Sequence, residues 1–282
     1  MTTLRVGLVQ LNTQSDQEAN LAVIERLVGE AAARGARFVM LPEYAPYLGP
    51  KEGYQEGAES VPGALTERFA ALARQHDIYL HAGSMVERTE TPGKYGNTTV
   101  VFDPTGDIIA RYRKIHLFDI EIPGKVSAKE SDSVAPGDEI VTVKIEGITF
   151  GLAICYDLRF PELFRLLALR GAEVLCNPAA FTLYTGKDHW EVLLRARAIE
   201  NQAWMLAAAQ WGPHEPNAAC YGRSLAIDPW GTVTAQASDG VGVVVTEIDT
   251  ALVAKNRTEV PSLANRQPAA YTLEARGAAV LR

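Results

Sequence analysis

Cys155 lies in the run Gly151-Leu-Ala-Ile-Cys155-Tyr-Asp-Leu-Arg-Phe-Pro-Glu162, where a short apolar stretch ends on a polar turn. Leu152, Ala153 and Ile154 read as β-strand, and Pro161 suits the first turn of a helix carrying Leu163, Phe164, Leu166 and Leu167. A strand-turn-helix elbow of this kind holds a thiol exposed at a rigid junction. It also turns the next backbone N–H groups, beginning with Tyr156, toward whatever bonds to the sulfur. A lone cysteine is more commonly a small buried hydrophobe, but the polar neighbours Asp157 and Arg159 weigh against that reading. Two more polar groups stand where an apolar core would not choose them. Glu43 ends the buried-strand pattern Phe38-Val-Met-Leu-Pro42, and Lys114 sits among apolar residues in Arg111-Tyr-Arg-Lys-Ile-His-Leu-Phe-Asp119. Taken singly, each is an ordinary solvated charge at a strand end.

Three readings compete at this level. A cysteine hydrolase with a histidine base would draw on His116 or His189. A zinc enzyme would need clustered ligands, and the five histidines show no metal spacing. A non-catalytic binding or signalling module could carry the same fold with no chemistry.

The elements that must position these residues recur in two copies. Gly7-Leu8-Val9, a helix, and Arg34-Gly-Ala-Arg-Phe-Val-Met-Leu-Pro42 are matched by Gly151-Leu152-Ala153, a helix, and Arg170-Gly-Ala-Glu-Val-Leu-Cys-Asn-Pro178. Each copy then contains an Asp-Pro-x-Gly turn, Asp103 to Gly106 and Asp228 to Gly231, with the residue preferences of a type I turn joining antiparallel strands. Ser15-Asp-Gln-Glu18 has capping-box spacing, and Leu21, Ile24, Leu27, Val28 and Ala31 follow along one helix face until Gly35. A second helix is expected from about Asp188 to Asn201 with Val192, Leu193, Ala196 and Ile199 inward. Ala203 to Gln210 and Val241 to Ile248 read as strands buried on both faces. The expected fold class is α/β: a four-layer α-β-β-α sandwich of two mixed sheets with helices outside. No Gly-, Pro- or Ser-rich linker divides the chain, so residues 1–282 are read as one domain, with a tail from about 272 that is flexible or at an oligomer interface.

Composition sets outer bounds. The 282 residues, 47% of them hydrophobic, can fill a substantial core, and the net charge of −7 without a Lys/Arg cluster argues against nucleic acid as a partner. Cys155, Cys176 and Cys220 form no CxxC pair and leave an odd thiol, which favours a reducing, cytoplasmic setting. Leu4-Arg-Val-Gly-Leu-Val-Gln-Leu reads as a strand and not as a leader, and no apolar run nears the ~20 residues of a membrane span. Neither export nor a membrane partner is expected.

Leu41-Pro-Glu43, Tyr112-Arg-Lys114-Ile-His-Leu and Cys155-Tyr-Asp-Leu-Arg-Phe-Pro-Glu162 resemble the three signature segments of the nitrilase superfamily of carbon-nitrogen hydrolases, and the likeness runs from Val6 to about Tyr271. Tyr-Asp-x-Arg-Phe-Pro-Glu after the cysteine and His189 to Glu200 are similar to the deaminated-glutathione amidase and omega-amidase branch. True nitrilases usually carry Trp-Glu where this chain has Tyr156-Asp157. The resemblance implies the same sandwich and a catalytic set of Glu43, Lys114 and Cys155. It adds Glu130 in support and the backbone N–H of Tyr156 at the oxyanion. Cys155 would attack an amide, Glu43 would carry the proton, and a thioester would form and be hydrolysed. Lys114 would in addition ease formation of the thiolate. Tyr47, Phe181 and Thr185 would line the acyl pocket, and Arg159 would pair with a substrate carboxylate or an internal acid. The branch further implies a small amide substrate, deaminated glutathione or alternatively 2-oxoglutaramate. It implies no cofactor or metal, and a homodimer or higher homo-oligomer built through the helices after Cys155 and before Ala203.

Overall fold

The structure is a computed structural model that describes residues 2–215 and 218–270. The tail from about 272 therefore lies outside the described residues. The first half of the chain runs β1 (Thr3–Gln10), α1 (Gln17–Ala33), β2 (Phe38–Met40), α2 (Lys51–Glu56), α3 (Ala64–His76), β3 (Tyr79–His81), β4 (Met85–Arg88), β5 (Tyr95–Phe102) and β6 (Ile108–Arg113). A hairpin, β7 (Asp119–Ile122) and β8 (Val126–Lys129), leads to the second half. That half runs β9 (Thr142–Ile145), β10 (Ile148–Leu152), α4 (Pro161–Leu169), β11 (Val174–Cys176), α5 (Leu183–Asn201) and β12 (Trp204–Ala207). After the hairpin β13 (Trp211–His214) and β14 (Ala218–Tyr221) come β15 (Leu225–Ile227) and β16 (Val233–Gln236). Finally β17 (Gly242–Asp249) returns to the first sheet, followed by α6 (Thr250–Glu259).

The two copies seen in the sequence fold alike. In the first sheet β1, β2 and β3 are parallel, β5 and β6 continue antiparallel, and β17 closes the other edge antiparallel to β1; β4 also pairs β5. In the second sheet β10, β11 and β12 are parallel, β15 and β16 continue antiparallel, and β9 lies antiparallel to β10. Even the turns match. Asp103 Oδ1 accepts from the N–H of Thr105 and Asp107, and Asp228 Oδ1 from those of Trp230 and Thr232. Gly106 and Gly231 take φ of 85° and 91°, the left-handed conformation that glycine adopts without strain.

One core joins the sheets face to face. Phe38 of β2 meets Phe150 of β10 with ring centroids 4.9 Å apart, within a cluster that also contains Val6, Leu8, Met40, Leu152, Val174 and Met205. Behind the first sheet, α1 and α3 bury Leu21, Ile24, Leu27, Phe69 and Ala73 against Val9, Val39 and Leu80. Each such Leu, Ile, Val or Phe side chain contributes about 1.5–3 kcal/mol. The duplicated glycines permit this closeness: a Cβ on Gly7 would lie 2.9 Å from Ala31 Cβ, and one on Gly151 3.0 Å from Leu167 Cβ.

Four local expectations change. The cap of α1 is Asp16, whose carboxylate accepts from Ala19 N at 3.0 Å, so the helix starts one residue later than a Ser15 cap would place it. Helix α5 begins at Leu183 and buries Trp190, Leu194, Arg197 and Ala198, while Val192 and Ile199 are 66% and 50% exposed. The helix carries two apolar stripes, and the stripe with Trp190 wins: its indole N–H reaches Arg223 O at 2.9 Å, and Arg197 donates to Leu158 O at 2.7 Å. Strand β17 is half-buried because it is an edge strand. Finally, Cys155 is only 6% exposed, since α4, the 3-10 turn Cys155–Arg159 and the Pro178–Ala180 segment close around the elbow. Among the described residues, no helix is long and apolar enough to cross a membrane.

Candidate active site

The ends of three strands meet at one point between the sheets. Leaving β2, the chain passes Pro42 and places Glu43, with Tyr44 held at a φ of 53°. Leaving β6 it places Lys114, whose N–H bonds to Asn97 O at 2.9 Å. Leaving β10 it places Cys155, itself at a φ of 46°, with its N–H on Pro178 O at 2.9 Å. A left-handed non-glycine residue is strained, and strain of this kind persists only where the surroundings enforce it. Glu130 arrives from the 3-10 turn Glu130–Asp132 that follows the β7-β8 hairpin.

Lys114 is 1% exposed and Glu43 2%. The Lys114 Nζ donates to Glu43 Oε1 at 2.9 Å and to Glu130 Oε2 at 2.9 Å and Oε1 at 3.2 Å. Asn97 Nδ2 bridges the same two carboxylates at 2.9 and 3.2 Å. Ala180 N donates to Glu43 Oε2 at 2.8 Å, Phe118 N to Glu130 Oε2 at 2.6 Å, and the Tyr44 hydroxyl to Glu130 Oε1 at 3.0 Å. The two carboxylates are thus held by fixed donors, which is what lets charge persist out of water.

The charges decide the resting state. Burial works against the Lys114 ammonium, but Glu130 and then Glu43 outweigh it and hold its pKa well above the ordinary lysine value. Burial raises the Glu130 carboxyl, yet Lys114 and the Phe118 N–H bring it below its usual range. For Cys155, burial comes first and the Glu43 carboxylate second in pushing the thiol well up; Lys114 and the Ala180 N–H pull the other way and do not prevail. The expected easing of the thiolate by Lys114 is therefore present but overruled. Burial and the neighbouring Glu43 together keep the proton on the Cys155 sulfur in the resting site.

Above this cluster opens a cavity of about 430 Å³ with Glu43, Lys114, Glu130 and Cys155 on its wall. Phe181, Thr185 and Tyr156 line it as well. Tyr47 does not. Its hydroxyl donates to Pro50 O at 2.9 Å and its ring packs edge-on against Tyr54, while Tyr44, Tyr54 and Tyr95 supply the aromatic wall. The expected place of Tyr47 on the acyl pocket fails because the chain turns at Tyr44, held at a φ of 53°, before it reaches Tyr47. Arg159 forms no ion pair with an internal acid among the described residues. Its guanidinium lies 5.1 Å over the Phe181 ring and 5.7 Å over Tyr156, with His189 Nδ1 at 3.3 Å. His116 bonds to Asp157 and stacks on Phe160 with centroids 3.6 Å apart, so neither histidine lines the cavity. Cys176 and Cys220 are buried, and burial raises both thiols. Asn97 and Ala180 escaped the sequence reading; both are ordinary residues whose role comes only from the strands and loop that bring them to Glu43.

The carbon-nitrogen hydrolase family model matches residues 5–258. The omega-amidase NIT2 of Homo sapiens is 39% identical over 276 residues, which is 97% of this chain and 99% of that protein. The deaminated glutathione amidase of Homo sapiens is 41% identical over 272 residues, 94% of this chain and 83% of that protein. Among solved structures, the NitFhit protein of C. elegans is similar with a TM-score of 0.89 and 37% identity, covering 96% of this chain and 66% of that one. With a family match across both halves of the sandwich and relatives of this identity along nearly its full length, the chain belongs to the carbon-nitrogen hydrolase family.

Proposed function

We propose that this carbon-nitrogen hydrolase is an amidase that works through a thioester on Cys155. The observation that carries the reading is that one thiol, one carboxylate and one ammonium, Cys155, Glu43 and Lys114, share the wall of one open cavity, with Lys114 Nζ 2.9 Å from Glu43 Oε1. Glu43 takes the proton from the thiol as sulfur attacks the amide carbon. The oxyanion is stabilised by the Lys114 ammonium and the backbone N–H of Tyr156. Glu43 returns the proton to the nitrogen, the C–N bond breaks, and the amine departs. Glu43 then draws a proton from water, which attacks the thioester; the acid leaves and the thiol is restored. Glu130 supports by holding Lys114 in place, which Glu43, the proton carrier, would do less well alone.

The substrate we infer is a small carboxylate amide cut at its distal amide, with deaminated glutathione preferred and 2-oxoglutaramate as the alternative. Relatives named for both activities are equally similar, so identity does not choose. The cavity favours the larger molecule. At about 430 Å³ it falls in the range of sites that hold drug-sized ligands, and Lys51 and Lys129 on its lining suit a leaving group that ends in a carboxylate. Phe181 and Thr185 bound the acyl group, and Arg159, which lies off the cavity wall over the Phe181 and Tyr156 rings and has no acidic partner among the described residues, would turn in to anchor its carboxylate. A homodimer through α4 and α5 in the cytoplasm completes the proposal: these helices touch, and Leu166, Leu169, Val192 and Ile199 on them are 42 to 66% exposed. The test is a parallel assay of deaminated glutathione, 2-oxoglutaramate, simple aliphatic amides and a nitrile. Preference for the first supports the reading, and turnover of the nitrile alone contradicts it. No release of ammonia or amine from any would favour a binding module.

A further inference from the structure

We propose that Asp157 is a positioning residue that braces the Cys155 elbow against the strand end carrying Lys114. The brace is needed because the site is assembled across the sandwich. Glu43 and Lys114 come from the first half and Glu130 from the turn after the connecting hairpin, and these three hold one another, whereas Cys155 follows β10 of the second sheet. Asp157 is fully buried and absent from the cavity wall, so it touches no substrate. Its two oxygens accept four hydrogen bonds. Oδ2 takes Ile154 N, the residue before the nucleophile, at 2.8 Å and the Tyr112 hydroxyl at 2.7 Å. Oδ1 takes His116 N at 3.0 Å and stands 2.7 Å from His116 Nδ1. Tyr112 and His116 lie two residues to either side of Lys114. One carboxylate therefore ties the backbone that sets the strained φ of Cys155 to both flanks of the lysine. A smaller acceptor set would not serve: in Asp157→Asn an amide N–H₂ would face either the His116 N–H or the pair Ile154 N–H and Tyr112 hydroxyl, placing donor against donor.

The inference rests on the hydrolytic reading for its kinetic arm and not for its chemical one. Asp157→Asn and Tyr112→Phe would be compared with wild type for kcat, KM and the pH profile of iodoacetamide alkylation at Cys155. Misplacement of a reacting group by 1 Å can cost about 10²-fold, and the expected loss in kcat is about 100-fold for Asp157→Asn and about three- to tenfold for Tyr112→Phe, with KM within about threefold. Sulfur released from Glu43 and from burial should alkylate faster, with its midpoint moving down toward the ordinary value of about 8.5. A less active enzyme with a more reactive thiol is the signature that a purely structural loss would not give. If folded Asp157→Asn keeps kcat within about threefold, or loses kcat with an unchanged alkylation profile, the brace is refuted. Should Asp157→Asn not fold, Tyr112→Phe decides by the same two criteria. Should wild type cleave no amide, the hydrolytic reading fails and the alkylation profiles alone decide the brace.

Discussion

Replacing Lys114 by methionine separates a structural charge from a chemical one. The ammonium lies 2.9 Å from Glu43 and 2.9 Å from Glu130, with side-chain exposures of 2%, 2% and 11%. Without it two buried carboxylates face each other with neutral donors alone: Asn97 Nδ2 for both, Ala180 N for Glu43, and Phe118 N and the Tyr44 hydroxyl for Glu130. Removing one partner of a buried ion pair costs about 3–5 kcal/mol. At about 2 °C per kcal/mol for a chain of this size, the Tm should fall by roughly 6–10 °C. Loss of an oxyanion donor should lower kcat by at least about 10²–10³-fold. The double variant Lys114→Met/Glu130→Gln removes the stranded charge and should regain much of the Tm while staying as inactive as the single one. Calorimetry and initial rates on the four folded proteins, Glu130→Gln included, read both quantities. Activity returning in step with stability in the double variant would refute a chemical role for Lys114.

Cys155→Ala should abolish turnover at a cost of about 1 kcal/mol in stability, since one buried atom is lost; iodoacetamide labelling of Cys176 or Cys220 instead, with activity retained, would contradict the assignment. Glu130 has a lowered carboxyl, so it adds stability that is present above about 4.5 and lost as pH falls through its folded value. Urea midpoints of wild type should therefore drop more steeply below pH 4.5 than those of Glu130→Gln, and parallel curves would contradict the pairing. Arg159→Met should raise KM for carboxylate-bearing amides and leave that of simple aliphatic amides unchanged; an equal rise for both would remove its anchoring role.

The duplication was legible because it rests on backbone demands: tight turns fixed by Asp103 and Asp228, and glycines at 7 and 151 where helices close on strands. The places of Glu43, Lys114 and Cys155 after strands were legible too, since each follows a strand pattern directly; their grouping as one set came only from the family resemblance. What periodicity could not decide was α5, where two apolar stripes compete and only the fit of Trp190 against Phe181 and Arg223 and of Arg197 against the elbow selects one. Nor could it foresee that Cys155 is buried, because the closing segments come from α4 and from Pro178 to Ala180. The pocket wall was the least legible part. Tyr44, Tyr54 and Tyr95 reach it from a turn, a short helix and a strand, and Tyr47 is turned away by a single left-handed residue.

A thioester on Cys155 can be caught chemically. Wild type would be quenched within the first turnovers on the best amide, and the peptide containing Cys155 weighed by mass spectrometry, with a parallel reaction in hydroxylamine. A covalent mechanism requires an adduct of the acyl mass on that peptide and diversion of product to the hydroxamate, both absent in Cys155→Ala. No adduct at any quench time, together with the free acid as sole product in hydroxylamine, would contradict it, because water would then attack the amide directly.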